Sequence, residues 1–218
     1  MGRRVFARGK GPFGIIEAYH PYMDRLGDLL RQGRTRVWVN RSANVAASQA
    51  ANQVAFGKAH ASLNRFIADT GFELRVFIEH AMGRGEAIRQ RWRLSGDAPI
   101  TYVGADLEAA AVAAATAERE AGNLPPDTLL LGDCDIGQPA SLLDRLHSAS
   151  VPTEGAVMMV GNGFHEVRGE DNDGMVEVFR AYHDAGIVLV FTEASALPTE
   201  DLVATAWNTY HAGCRYVH

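Results

Sequence analysis

Cysteine is nearly missing from this chain: Cys134 and Cys214 are the only two among 218 residues. Two thiols cannot build the disulfide framework of a small secreted fold, and they are too few for a zinc site of their own. Long apolar runs are missing as well. No stretch approaches the roughly 20 apolar residues that cross a bilayer, and the first 15 residues have no signal-peptide core. Lysine is scarce, with Lys10 and Lys58 the only two among 21 basic residues. Aromatics make up 8% of the chain and do not interleave with the arginines in the manner of RNA-binding surfaces. These gaps point to a soluble, cytoplasmic protein with no membrane partner and with nucleic acid disfavoured, an RNA-modifying role being left open only by the basic leader over residues 1–45.

What remains is ordinary globular composition, 47% hydrophobic and 22% charged, which excludes wholesale disorder and collagen-like repeats. The length suits one large domain or one domain with a small cap. The net charge of −5 is unevenly spread: residues 1–45 hold nine Lys/Arg against three Asp/Glu, so that segment is +6 and the remainder −11. A soluble, arginine-rich surface is the plainest account of that leader.

The texture changes near residue 70. Before it, two helical patterns occur, about 14–32 with Ile15, Ala18, Tyr22, Leu26, Leu29 and Leu30, and about 44–68 with Val45, Ala46, Ala50, Val54, Phe56, Ala59, Leu63 and Phe66. Gly33 and the Asp69-Thr-Gly71 segment read as their stops. After it, apolar runs alternate with helical stretches. The runs are Leu74–Glu79, Ile100–Gly104, Thr128–Gly132, Ala156–Val160 and Ile187–Thr192. Helices are expected at about 84–93, 107–121, 139–148, 173–185 and 199–211. Short unbroken apolar runs are what strands covered on both faces require. The expectation is a doubly wound α/β domain over 71–218, with a mostly parallel sheet, and a helical cap over 1–70.

In such a sheet the ligand crevice lies beyond the carboxyl ends of the strands. The first run leads into Glu79-His-Ala-Met-Gly83-Arg-Gly85-Glu86, a turn with two glycines. The second leads into Asp106, twenty-one residues beyond Gly85, the third into Asp133-Cys134-Asp135, and the fourth into Gly161-Asn162-Gly163-Phe164-His165-Glu166. Glycine lets a ligand approach the backbone. A carboxylate at Asp106 suits the two hydroxyls of a ribose, or an N-cap for the alanine-rich helix, or both. Asp133 could accept from an adenine amino group. A dinucleotide would bring its pyrophosphate to the first helix, where Glu79 and Glu86 repel it. S-adenosylmethionine has no phosphate, and its cationic groups would be welcomed by Glu79 while its carboxylate met the turn amides.

On these residues the chain resembles the class I S-adenosylmethionine-dependent methyltransferase family, over residues 72–195. Glu79-x-Ala81-x-Gly83-x-Gly85 is similar to the family's acidic-x-Gly-x-Gly-x-Gly turn, with Ala81 in the first glycine place, a fit that expects negative φ there. The resemblance implies a Rossmann-like methyltransferase fold and S-adenosyl-L-methionine as cofactor. It places the ribose acid at Asp106 with Leu107 beside it, and adenine contacts at Asp133 and Cys134. Val160–Glu166 resembles the fourth-strand motif of small-molecule members, bringing Gly161 and Asn162 to the cofactor. The helix and strand around Phe179–Thr192 resemble the closing part of the module. The family's terminal antiparallel strand pair has room here for one short strand at most, at Arg215–His218.

The implied reaction is in-line methyl transfer to oxygen or nitrogen of a small-molecule acceptor, for which alignment is the protein's main task. His165 is the candidate general base and Glu166 its substitute or orienting partner. Tyr19 and Tyr22, with His20 between them, are the candidates for an acceptor pocket in the cap. No metal is expected: Glu170–Gly174 lacks calcium-loop spacing, and the eight histidines show no paired ligand spacing. A homodimer is allowed. The competing readings are an NAD(P)-dependent oxidoreductase on a similar fold and a non-catalytic, methyltransferase-like module.

Overall fold

A computed structural model describes residues 20–21, 23–32, 41–164, 167 and 172–192. Its elements in chain order are α1 (Leu26–Gln32), α2 (Arg41–Thr70), β1 (Val76–His80), α3 (Glu86–Ser95), β2 (Thr101–Ala105), α4 (Ala109–Glu120), β3 (Leu129–Leu131), α5 (Pro139–Ser148), β4 (Ala156–Gly161), α6 (Asn172–Asp184) and β5 (Val188–Thr192). The expected helix at 199–211, the cap residues Tyr19 and Tyr22, and the terminal strand at Arg215–His218 lie outside the described residues.

All five strands are parallel and run β3-β2-β1-β4-β5. The order reverses between β1 and β4, because the chain winds outward from β1 in one direction and then returns to build from its other side. In a doubly wound sheet that reversal is where a ligand crevice opens. The fold is Rossmann-like α/β.

Alternate residues of each strand enter opposite layers, as a two-residue side-chain period demands. Val76, Ile78, Val103, Ala105, Met158 and Val160 pack against Leu142 and Leu146 of α5 and against Val178 and Tyr182 of α6. Phe77, Tyr102, Val157 and Met159 pack against α2, α3 and α4. Covering both faces explains why the sequence shows continuous apolar runs rather than alternation.

The chain falls into two compact units: Asn52–Glu193, and Met1–Ala51 with Ala194–His218. Helix α2 continues across that boundary. From Asn52 onward it belongs to the sheet unit, where Phe56, Ala59 and Leu63 are buried on the face that carries Phe77. The helical pattern read from the sequence also included Val54 and Phe66, which the structure leaves exposed. The buried stripe instead takes in two polar residues, Asn52 and His60, because it faces polar partners at its two levels. In the smaller unit, α1 is a short helix whose Asp28 and Arg31 sit 3.6 Å apart on an exposed surface. No helix among the described residues is long and apolar enough to cross a membrane.

Candidate functional site

The carboxyl ends of β1, β2, β3 and β4 share one edge of the sheet, and three of them leave the strand through a left-handed residue that is not glycine. These are Ala81 (φ 53°), Asp133 (φ 49°) and Asn162 (φ 53°). Asp and Asn tolerate that region through local hydrogen bonds, whereas alanine there costs about 1 kcal/mol or more. The negative φ expected for Ala81 is therefore corrected by the structure. Its strain is held by the neighbouring His80, whose Nδ1 accepts the Ala81 N–H at 2.8 Å. Gly83 (φ 52°) and Gly85 (φ 80°) complete the turn in the same region, where they carry no such cost.

Glu79 is turned under this loop rather than out toward solvent. Its Oε2 accepts the Ile88 N–H of α3 at 2.8 Å, and the Ala87 N–H also points at it. It thus caps a helix that Gly85 starts without a side-chain cap. Burial raises its pKa to about 8, against the pull of those two amides, so the carboxyl holds a proton at neutral pH. Glu86 is paired as well: Arg89 donates to it at 2.9 Å and Gln90 at 2.9 Å. Arg89 also reaches Glu118 at 3.0 Å, and Glu118 is further paired with Arg84 and accepts from Asn123 at 2.7 Å. The two carboxylates expected to repel a pyrophosphate are in fact absorbed into the packing of α3 on β1 and α4.

Asp106 stands at the tip of β2 and is nearly buried. Its Oδ2 accepts the Gly83 N–H at 3.0 Å and its Oδ1 accepts the Glu108 N–H at 3.0 Å. The first bond ties β2 to the glycine turn; the second opens the approach to α4. The N-cap weighed for this residue from sequence falls instead on Glu108, whose own N–H the Asp106 carboxylate receives one step before the helix. The main chain of Asp106 is fixed against the β3 tip, donating to Leu131 O at 3.1 Å and accepting from Cys134 N at 3.1 Å.

Beyond Asp106 the edge is open. Leu107 is 46% exposed, and the Asp133 side chain is 86% exposed, 3.5 Å from Arg145. An apolar side chain and a carboxylate at adjacent strand tips are a suitable platform and acceptor for a base. Cys134, by contrast, is fully buried, its Sγ directed at Gly132 O and Ser141 O, and burial raises its pKa.

On the β4 side, Asn162 donates its N–H to Thr192 O at 2.7 Å and its Nδ2 to Asn52 Oδ1 at 2.9 Å. A side chain on Gly161 would strike the Phe56 ring at 2.4 Å, so only glycine lets α2 approach this strand tip. A side chain on Gly163 would press on Ala81 Cβ at 3.1 Å, which shows how closely the β4 loop adjoins the glycine turn. Phe164 then turns into the core, against Phe179 and Phe191 at centroid distances of 4.9 and 5.4 Å. His165 and Glu166, the candidate base and its partner, lie outside the described residues.

Two further participants were not singled out from the sequence. His80 ends β1 on the α5/α6 face, with Nδ1 occupied and Nε2 buried without a partner. Burial lowers its pKa to about 4, against the field of Asp135, so it is a neutral imidazole with its proton on Nε2. A histidine directly after Glu79 at the end of a buried strand was the available signal. Asn52 carried none, since 110 residues separate it from Asn162. Among the described residues no group of three His, Cys, Asp or Glu side chains could hold a metal ion. No family model matches this chain, and no curated protein matches it.

Proposed function

We propose that this chain binds S-adenosylmethionine across the tips of β1 and β2 and transfers its methyl group to a small-molecule acceptor. One observation carries the reading: the Ala87 and Ile88 amides in the first turn of α3 are occupied by the protein's own Glu79 carboxyl. In a dinucleotide site those amides are where a pyrophosphate binds. A phosphate there would compete with Glu79 for two of those amides, whereas a nucleoside without phosphate need not. Asp106, Leu107 and Asp133 follow in the order ribose, base edge, base acceptor along β2 and β3. This order supports an adenosine-bearing ligand, a part that S-adenosylmethionine and NAD(P) share, so the occupied Ala87 and Ile88 amides are what disfavours the NAD(P)-dependent alternative.

Bound S-adenosylmethionine supplies a methyl group already activated by positive sulfur. The chain's part is to orient it: Asp106 toward the ribose, Leu107 and Asp133 toward adenine, and the β4 tip at Asn162 toward the transfer end. His165 or Glu166 would take the acceptor's proton where the acceptor is a hydroxyl. A second reading, a non-catalytic module of the same architecture, is favoured by the internal satisfaction of the turn amides described above.

Isothermal titration with S-adenosylmethionine, S-adenosylhomocysteine and NAD separates these readings. The expected result is micromolar binding of the two sulfur nucleosides and no heat with NAD. Heat with NAD alone would overturn the proposal. Binding of both sulfur nucleosides with no methylation of any acceptor in a broad panel would favour the non-catalytic module.

A further inference from the structure

Arg91 is the only buried arginine among the described residues, at 6% exposure, and no acid accompanies it. Its Nη1 donates to Asn64 Oδ1 at 2.7 Å and its Nε to Ser95 Oγ at 2.8 Å, both neutral acceptors. No carboxylate among the described residues pairs with it, its Nη2 donates to nothing, and burial lowers its pKa. Arg89, two residues earlier on α3, shows the ordinary solution, meeting Glu86 at 2.9 Å and Glu118 at 3.0 Å. A buried charge needs a counter-charge or a full set of hydrogen bonds, and Arg91 has neither. Two more polar groups adjoin it. His60 of α2 is fully buried, with Nε2 on Ala87 O at 3.1 Å and Nδ1 without a partner, and Arg91 is the one charge acting on it. Tyr102 of β2 stands beside Ser95 and Arg91, and burial raises its pKa, so its phenol keeps a proton to donate. From β1 only the Phe77 ring faces them, 5.5 Å from His60 and 6.3 Å from Tyr102. Phe77 and Tyr102 pair in register as the second residues of their strands, so the cluster lies toward the amino ends, away from the glycine turn.

The geometry points to a small-anion site between α2 and α3: Arg91 and Tyr102 donate to one monovalent anion, a halide or a single carboxylate, and His60 takes up a proton when the anion arrives. One guanidinium balances one negative charge, whereas a phosphate dianion would leave net charge buried. The Arg91 field opposes a proton on His60, and a bound anion cancels that field. The protonated Nδ1 then becomes a further donor beside the anion. The coupling is reciprocal, so a proton on His60 also tightens the anion. The site is independent of the nucleoside reading and shares no residue with it.

The test uses the full chain and three probes: sodium chloride, sodium acetate and, as the dianion, sodium phosphate. NMR follows the Arg91 Nε–H resonance, and urea unfolding follows stability. Chloride and acetate are expected to shift that resonance along saturating curves, and phosphate is not. In salt-free buffer Arg91→Met should be at least as stable as wild type, because an apolar side chain replaces an uncompensated buried charge. Chloride at about a hundred times its dissociation constant should then raise the wild type's folded-to-unfolded ratio about a hundredfold relative to the variant, reversing their order. Chloride does not titrate, and it should bind about threefold or more tightly at pH 5 than at pH 7.5. His60→Gln, whose amide still donates to Ala87 O, should remove that difference. A response of equal size in Arg91→Met would mean an adventitious ion only and overturn the site, as would a resonance that never saturates in wild type. Saturation by phosphate as tight as by chloride would overturn the single-charge selection. A chloride affinity indifferent to pH would overturn the part given to His60. The wild-type resonance decides the matter even where Arg91→Met does not fold.

Discussion

The two faces of the sheet solve the burial problem differently. Against α5 and α6 the interior is almost wholly apolar: Leu142, Leu146, Met158 and Val178 fill it, with His80 and the Tyr182 hydroxyl as the polar intrusions. Against α2, α3 and α4 lie Glu79, Glu86, His60, Arg91 and Glu118, all buried and each with at least one partner. His60 Nε2, for example, meets Ala87 O at 3.1 Å, and Arg91 donates to Asn64 at 2.7 Å. Apolar packing fixes a distance between layers but tolerates sliding. Directional bonds fix register, and the polar face is the one whose register sets the turn at Ala81–Gly85. The comparison teaches that one layer holds the sheet together while the other aims its binding edge.

Breaking the apolar face should cost most. Leu142→Ala removes a fully buried side chain and should destabilise by about 2–5 kcal/mol. Urea unfolding should show that loss with little change in its pH dependence. A comparable loss confined to one end of the pH range would contradict the division of labour.

The polar face should show itself through protons. Glu79 has a folded pKa of about 8, above its ordinary value of 4.5. Between those values the folded state holds one proton more than the unfolded at this group, so its contribution to stability falls as pH rises. Above about 6.5, where His60 and His80 no longer oppose it, the net stability falls up to about 8. The slope is about 1.4 kcal/mol per pH unit at most. Glu79→Gln keeps an acceptor for the Ile88 N–H but cannot ionise, and its stability should no longer fall between about pH 6.5 and 8. An unchanged slope in that variant would mean that Glu79 is not the group responsible.

The smallest effect sharpens the comparison at the polar intrusion on the apolar side. His80 and His60 both have pKa values lowered to about 4 from 6.5. Below 6.5 the unfolded state takes up protons that the folded state refuses, so stability is lost as pH falls toward 4. His80→Asn preserves an acceptor near Nδ1 for Ala81 and removes one proton from that uptake. Its acid limb should be shallower than wild type by about one proton, leaving the His60 contribution in place. Equal acid limbs in the two proteins would remove His80 from the titrating set.

Much of the architecture was legible before the structure. Five apolar runs gave five strands within a few residues of their observed bounds, because strands covered on both faces must be continuously apolar. The four crossover helices were equally plain. The candidate site was less so. That Asp106 and the glycine turn belong to one edge follows from topology alone, but that they bond to each other depends on a side-chain direction. Glu79 and Glu86 were read as charges facing a ligand, yet their partners on α3 come from packing. The left-handed turn at Ala81 was hidden because alanine signals the opposite, and only the histidine beside it explains how it persists.

By itself, the order of residues determined the winding: runs of matched period, separated by helices and glycine stops, admit few arrangements other than a parallel sheet. It also determined which chemistry could reach the carboxyl edge, since whatever follows each strand must emerge there. Tertiary structure alone decided which of those groups are already spoken for. Hydrogen bonds such as Gly83 to Asp106 and Asn162 to Asn52 join residues 23 and 110 positions apart. No local propensity encodes such a pairing; it exists only because several layers, packed to close contact, leave each polar atom one affordable neighbour.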